Sequence, residues 1–453
     1  MKILISAQAF FPYSFGGGEI YVYRLAKELL NRGHTVKVLT RVKWHKDKKS
    51  NEPCVVQTYI YENIPVISLS LNPDKISYVE RITGNGPILK ELLGKIIAED
   101  PHELIHINGI KPALVSLCNE LRIPHVVTAH HSGIVCPAGG LVRHDWIICE
   151  EEIDPQDCIR CCCIWKRPKW YVGRAMAKIP TWVYRPLGRR FHARSNLSYF
   201  YRGLITPWII EESMRLKKIA MEKAQMIIAP SNFMKDLLVK GGCNPERIRV
   251  IPHGIEPIGR IPIEDIKGRP IRFGYIGRID PLKGLHIMLE ATEFLRKGSS
   301  CEIHIFGAAR TPWHEEYFKK TLSIYRGKVK LFNHGLIPHE KLKDIFSQTD
   351  VLVVPSLLPE AFGLVVAEAF SAGRPVIVFN SGALPEQVRH RVDGFIVDCN
   401  DSKSLAEAMQ KFIDDPDLII EMSKRIPHVK TMQEYVDEIE KIYVQLMDKN
   451  KTP

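Results

Sequence analysis

A chain of 453 residues with formal net charge +12, 45% apolar and 25% charged residues lies in the ordinary globular range and has room for two or three domains. Those values exclude a disordered, collagen-like or coiled-coil chain, and no apolar run approaches the ~20 residues a membrane-spanning helix needs. The opening stretch MKILISAQAFFPYSFGGGE has one Lys and no small-residue cleavage site. It reads as a buried strand entering a glycine-rich loop, and the chain as unsecreted and cytoplasmic.

In chain order, KILISA (2–7) predicts a strand and Glu19 to Asn31 a helix that ends before Gly33. Further strands are predicted at 34–40, 65–70, 103–108, 125–130, 226–231 and 248–254. Short β-branched runs separated by helix-period segments imply a doubly wound parallel sheet. The pattern then starts afresh, with strands predicted at 271–278, 301–308, 329–335, 351–356, 375–380 and 394–398, and helices over Leu285–Arg296 and Leu342–Gln348. Two Rossmann-like α/β domains are therefore expected, over 1–255 and 256–428, joined near Pro252–Arg260. In 429–453, Tyr435, Ile439, Ile442, Tyr443 and Leu446 at helical spacing predict an amphipathic closing helix that packs back on the first domain.

In open α/β sheets, ligands bind beyond the carboxyl ends of the strands. Four loops there carry chemistry. Gly16-Gly17-Gly18 precedes a helix and would let the backbone approach an anion; the absence of a following Lys-Ser/Thr argues against a nucleotide triphosphatase. Arg278 and Lys283, in the loop around Gly277, are a cation pair suited to a diphosphate or, on the blander reading, two solvated bases. In the stretch PSLLPEAFGLVVAEA, Glu360 lies in a loop and Glu368 two turns into a buried-looking helix. A carboxylate among Val365, Val366 and Ala369 needs hydrogen bonds, which ribose hydroxyls would provide. His130 stands at the end of a first-domain strand.

Charge is concentrated. Between Arg160 and Lys218 there are 14 Lys/Arg against two acids, and Trp165, Trp170, Trp182, Trp208, Tyr171, Tyr184, Phe191, Tyr199, Phe200 and Tyr201 are interleaved with them. This window, within an insertion at about 135–220, suits an anionic membrane interface or acceptor, or is a solvated insertion whose aromatics pack on the parent domain. Nucleic acid is set well behind, because no recognised module surrounds it. Just upstream, six of the eleven cysteines cluster. Cys136, Cys149, Cys158 and Cys161 could hold structural Zn²⁺, or less readily an iron–sulfur cluster; free thiols or a redox disulfide are the alternatives.

Together with Asn31-Arg32-Gly33-His34, Thr128-Ala129-His130, Ala229-Pro230-Ser231, Ile251-Pro252-His253-Gly254 and Gly373-Arg374-Pro375, these loops resemble glycosyltransferase family 4, the retaining GT-B enzymes that use nucleotide diphosphate sugars. The resemblance spans both halves except about 135–220. It implies two Rossmann-like domains facing across a cleft. Arg278 and Lys283 would neutralise the leaving diphosphate, and Glu368 would bind ribose. Glu360 with the N–H groups of Phe362, Gly363 and Leu364 would hold sugar and phosphate, and the Gly16–Gly18 loop would lie beside donor phosphate or acceptor. His130 would contact the sugar. No catalytic metal is implied, and the acceptor is expected to attack from the same face. Two departures stand out: His131 where the family often has Asp, and Gly307-Ala308-Ala309-Arg310 without its second Gly. The leading reading is transfer to an acceptor at or near the inner face of the cell membrane, such as a saccharide, a lipid-linked saccharide or a phospholipid, with soluble acceptors left open. An inactive nucleotide-sugar-binding scaffold and a sugar-nucleotide epimerase of the same architecture are the rivals.

Overall fold

The computed structural model describes residues 1–14, 16–43, 51–143, 147–149, 153–165, 175–263, 266–325, 327 and 329–451. The chain forms two compact units, Met1–His253 with Met432–Pro453, and Gly254–Thr431.

In the first unit, eight strands make one sheet: β1 (Lys2–Ser6), β2 (Thr35–Val42), β3 (Cys54–Tyr61), β4 (Ile64–Leu71), β5 (Leu104–Asn108), β6 (His125–Thr128), β7 (Met226–Ala229) and β8 (Ile248–Val250). Their spatial order is β3-β4-β2-β1-β5-β6-β7-β8. All pairings are parallel except β3 with β4. Helices cover both faces, so the central strands read as unbroken apolar runs; Ile3, Leu4 and Ile5 of β1 are wholly buried.

The sequence reading passed over β3. It pairs with β4 through a two-residue turn, Glu62–Asn63, in which both residues are left-handed (φ 44° and 66°). That is the type I′ geometry, usually marked by Asn-Gly, and Glu62 in the first position conceals it. Several other predicted strands run one or two residues too far. β6 stops at Thr128 and β7 at Ala229, so His130 and Ser231 lie in loops; the Ser231 side chain caps the helix Asn232–Lys240.

The closing helix Met432–Lys451 completes the first unit's core, where Tyr435, Val436, Ile439 and Tyr443 are fully buried. Each such side chain contributes about 2 kcal/mol of burial. The Tyr21 and Tyr435 hydroxyls share a hydrogen bond of 2.6 Å, and Arg32 bridges Asp437 and Glu440 at 2.6 and 2.7 Å. Within the insertion, the helices Thr181–Phe191 and Tyr199–Lys223 approach at Gly188, where a Cβ would stand 2.2 Å from the Trp208 ring.

The second unit has a six-stranded parallel sheet: β9 (Ile271–Ile276), β10 (Cys301–Phe306), β11 (Lys330–Gly335), β12 (Val351–Val354), β13 (Val376–Phe379) and β14 (Gly394–Val397), in the order β11-β10-β9-β12-β13-β14. The winding reverses between β9 and β12. The helix expected over 285–296 stops at Ala291 and tightens into a 3-10 turn, Thr292–Phe294. There the Thr292 hydroxyl donates back to the Leu289 carbonyl at 2.6 Å, a bond that competes with the helical ladder. At the amino-terminal end of the sheet, buried Asp350 accepts from Arg269 and Arg272 at 2.6 and 2.8 Å. Burial pushes its carboxyl up, but the two guanidiniums prevail and hold it at about 2.

Candidate functional site

At the carboxyl ends of β9 and β12, two loops of the second unit are locked together. Gly284 is left-handed (φ 70°), and a Cβ on it would stand 1.8 Å from the Pro355 carbonyl oxygen. The N–H groups of Leu357 and Leu358 both donate to the Leu282 carbonyl, at 2.9 and 3.0 Å. This junction brings Lys283 to Glu360: the ammonium donates to Glu360 Oε1, which also accepts from the Ser356 hydroxyl at 2.9 Å. Arg278, from the same loop as Lys283, keeps 44% of its side chain exposed, with Asp280 at 3.8 Å. Gly277 presses its carbonyl against Gly307, where a Cβ would be 1.8 Å from that oxygen. The result is two cations and two carboxylates, Asp280 and Glu360, on a backbone frame with little freedom.

Behind Glu360 the chain enters the helix Leu364–Ser371, which starts beside the loop and whose Val366 N–H donates to the Gly363 carbonyl at 3.0 Å. Gly363 precedes it in the left-handed region (φ 90°), and Phe362 packs inward with Ile255 and Ala367. The Gln387 amide donates to the Phe362 and Gly363 carbonyls and fixes this turn. Glu368 is 6% exposed. Because the helix begins only at Leu364, Glu368 lies in its second turn rather than two turns in.

In the first unit, His130 lies just past β6. Its Nε2 is 2.5 Å from Asn108 Oδ1, while the Asn108 amide nitrogen donates to the Ser6 carbonyl at 3.1 Å. That orientation makes Oδ1 the acceptor, so Nε2 carries the proton and Nδ1 keeps its lone pair. Burial, then the neighbouring His253, lower the His130 pKa well below the ordinary value. The imidazole is therefore neutral, packed against Tyr21 at 4.4 Å and His253 at 5.3 Å between ring centroids. The glycine loop leads into the helix Gly17–Asn31. Gly16 is its extended N-cap, and a Cβ on Gly18 would meet nothing within 4 Å. The open face over Gly18 fits a backbone that a ligand approaches.

Residues 261–429 match the family described as Glycosyl transferases group 1, and residues 15–148 and 167–257 match Glycosyltransferase Family 4. The chain belongs to glycosyltransferase family 4. A curated relative, the amylovoran biosynthesis glycosyltransferase AmsK of Erwinia amylovora, is 27% identical over 44% of this chain and 50% of its own length. The chain spans about half the length of the curated relatives it matches first. Among solved structures, the sucrose-phosphate synthase of Thermosynechococcus elongatus has TM-score 0.67 at 20% identity, covering 99% of both chains. Anabaena HepE, solved with UDP-glucose, has TM-score 0.62 at 16% identity, covering 100% of both. These likenesses give the fold: the chain has the two parallel-sheet α/β domains of the GT-B architecture.

Sequence reasoning for this family 4 chain missed the partners of His130. Tyr21 looks like an ordinary core residue of its helix. Asn108 gave one signal, a polar side chain closing an apolar strand. His253 sat inside a matched motif without being singled out.

Around the expected metal ligands, Cys136 lies in a turn after Ser132–Ile134, Cys149 faces Leu141 across a short antiparallel bridge, and Cys158 and Cys161 share a face of the helix Pro155–Trp165. Burial, then the nearby thiols of Cys136, Cys149 and Cys161, push Cys158 up to about 12. Among the described residues, no three His, Cys, Asp or Glu side chains are disposed to hold a metal ion.

The basic aromatic window has two faces. Tyr184 and Phe191 are buried, whereas Trp182 (76%), Tyr199 (71%) and Phe200 (69%) are exposed. Trp170, Tyr171, Phe15 and the Trp165 side chain lie outside the described residues. No described helix is long and apolar enough to cross a membrane.

Proposed function

We propose that the chain transfers a sugar from a nucleotide diphosphate sugar to an acceptor, with retention at the sugar carbon and without a catalytic metal. The observation that carries this reading is the meeting of Lys283 and Glu360 on two locked loops at the sheet's switch point, with Arg278 on the Lys283 loop. Breaking a glycosyl–phosphate bond builds positive charge on the sugar and negative charge on the diphosphate. Fixed cations and helix N–H groups stabilise the second charge as it forms. In this reading Arg278 and Lys283 receive the diphosphate, Glu360 and the turn at Phe362–Leu364 hold sugar and phosphate, and Glu368 grips the ribose. His130, neutral and with Nδ1 available, accepts from a sugar hydroxyl. The Gly16–Gly18 loop lies against donor phosphate or acceptor. The likeness to HepE, solved with UDP-glucose, makes UDP sugars the first donors to try.

The test is direct. Purified protein is screened with UDP, ADP and GDP sugars for thermal stabilisation, since a ligand of the folded state raises its stability. The stabilising donor is then followed by nucleotide release and product anomer in the presence and absence of a chelator. Retained configuration, unaffected by the chelator and absent in Glu360→Ala, is expected. An inverted product, or donor consumption with no sugar transferred, overturns the reading, the latter in favour of an epimerase.

The exposed Trp182, Tyr199 and Phe200, carried among Arg185, Arg189, Arg190 and Arg202, support contact with an anionic membrane surface. Flotation with vesicles containing anionic phospholipid is expected and should fall in Trp182→Ala/Phe200→Ala. Equal flotation with neutral vesicles counts against it.

A further inference from the structure

A cavity of about 360 Å³ opens in the first unit at the carboxyl ends of β1, β2 and β5, among residues Ser6, Thr40 and Asn108. β1 lies between β2 and β5, so the winding of the sheet reverses here, and such switch points are where open α/β sheets bind ligands. Four cations line it: Arg41, Arg81, Lys111 and Lys217. Among the described residues no carboxylate lines it, and no ion pair reaches Arg41, Arg81 or Lys111. The acid next in sequence to Arg81, Glu80, is turned away to accept the Leu89 N–H at 2.5 Å.

These cations disfavour one another. Lys111, whose ammonium donates to the Ser6 hydroxyl at 2.9 Å, is pushed down to about 7 by burial and then by Arg41. Arg41 is lowered by burial and by Arg81, and Arg81 by burial and by Arg202. A row of partly desolvated like charges is costly unless something negative joins it. Two polar atoms of the lining point to what that is. Thr40 is 1% exposed and its hydroxyl has no partner, and the Arg81 Nε–H is buried without an acceptor. The helix Pro112–Glu120 also begins at the cavity wall; Pro112 has no N–H and the Val115 N–H donates to the Lys111 carbonyl, so Ala113 and Leu114 supply the N–H groups of its start.

We propose that this cavity seats a phosphoryl group of the acceptor, so that the sugar is transferred to a phosphate- or diphosphate-bearing molecule. Resting on the glycosyl-transfer reading, the assignment follows from the donor set. Several positive charges, one hydroxyl and a helix start offer many donors to a compact multiply charged oxyanion. A neutral saccharide would leave the charges uncompensated, and a single carboxylate would satisfy fewer of them. Forked guanidiniums and a point-charge ammonium suit phosphate oxygens.

Calorimetry with inorganic pyrophosphate is done in Arg278→Ala/Lys283→Ala protein, so that the donor loop does not compete. One site is expected, weakened about tenfold or more by Arg81→Gln and measurably by Thr40→Val, which keeps the side chain's shape. Melting curves of both variants confirm that the fold persists. A hexose phosphate in solution and vesicles doped with polyprenyl phosphate form two further arms. Loss of either interaction in Arg81→Gln supports the proposal and tells a soluble acceptor from a lipid-borne one. Binding of all three probes unchanged in both variants, or no binding to the parent protein, overturns it. UDP binding to the unsubstituted chain, measured in parallel, reports separately on the donor reading.

Discussion

Lys283 and Glu360, 77 positions apart, are joined by a charge-assisted hydrogen bond in which the ammonium donates to a carboxylate that also accepts from Ser356. Each side chain is about one-fifth exposed, so the pair is partly desolvated and its orientation is fixed by the loops on either side. A bound diphosphate would draw on the same ammonium. On the proposed reading, the arrangement would hold Lys283 in place before a donor arrives and so avoid reorganising it as charge develops.

Replacing Lys283 by Met is expected to lower the transfer rate by ~10²–10³ with little change in melting temperature, because the cation acts mainly on the developing charge. Arg should rescue poorly, since its fork would not reproduce a point charge between carboxylate and phosphate. Glu360→Gln keeps an acceptor for Ser356 and should also fold, while losing most of the transfer rate. Single-turnover measurements at saturating donor check both.

Two glycines that look alike in the sequence differ in what they do. At Gly284 the backbone is left-handed and the Pro355 carbonyl occupies the place of a side chain. Gly284→Ala should therefore destabilise the second unit by about 3 kcal/mol or more through strain and overlap. Gly18→Ala meets only open space and sits in a helical turn, where Ala is favoured by ~0.5–1 kcal/mol. It should be neutral or stabilising in a melt, yet weaken ligand binding at that loop. Paired melts and donor titrations of the two variants separate the roles.

The two sheets were legible because buried parallel strands such as IRFGYI and VLVV announce themselves as apolar runs between helices. β3 was not, since its pattern is that of a half-exposed edge and Glu62–Asn63 takes a hairpin turn without the usual glycine. The same split holds at the sites. Arg278, Lys283 and Glu360 could be picked out because loops at strand ends carry chemistry, but the contact of Lys283 with Glu360 needed the Gly284–Pro355 junction, which links segments about 70 residues apart in space alone. The cation cavity escaped notice entirely. Arg41, Arg81, Lys111 and Lys217 come from four separate segments, and nothing in local spacing says that they line one cavity.

Asp350 anchors the amino-terminal end of the second sheet through Arg269 and Arg272. Its folded pKa, about 2, lies below the ordinary 3.8. The stabilisation is thus complete above pH 4 and is lost as the pH falls toward 2. Asp350→Asn should remove this pH dependence and cost ~3 kcal/mol at neutral pH, because two partly buried guanidiniums lose their counter-charge. Chemical denaturation at pH 7 and pH 3 checks both statements, with the gap between variant and parent narrowing in acid.

The first unit should respond to acid earlier, for a different reason. His106 accepts or donates at both ring nitrogens, to the Tyr443 and Thr128 hydroxyls at 2.6 Å each, and is wholly buried. Burial lowers it, and likewise His253, to about 3, with His130 lowered as well. All three are neutral when folded but bind protons near pH 6.5 when unfolded, so their contribution is full above pH 6.5 and declines toward pH 3. Each lost proton difference costs ~1.4 kcal/mol per pH unit, and three acting together make a steep decline. Tyr443→Phe leaves His106 Nδ1 without its partner and should destabilise the unit by ~1–3 kcal/mol at pH 7. Hydrogen exchange at pH 7, 5 and 4 is expected to show protection lost first in β5, β6 and the closing helix, while β9 and β12 remain protected. Simultaneous loss in both units would show that the buried imidazoles do not set the acid limit.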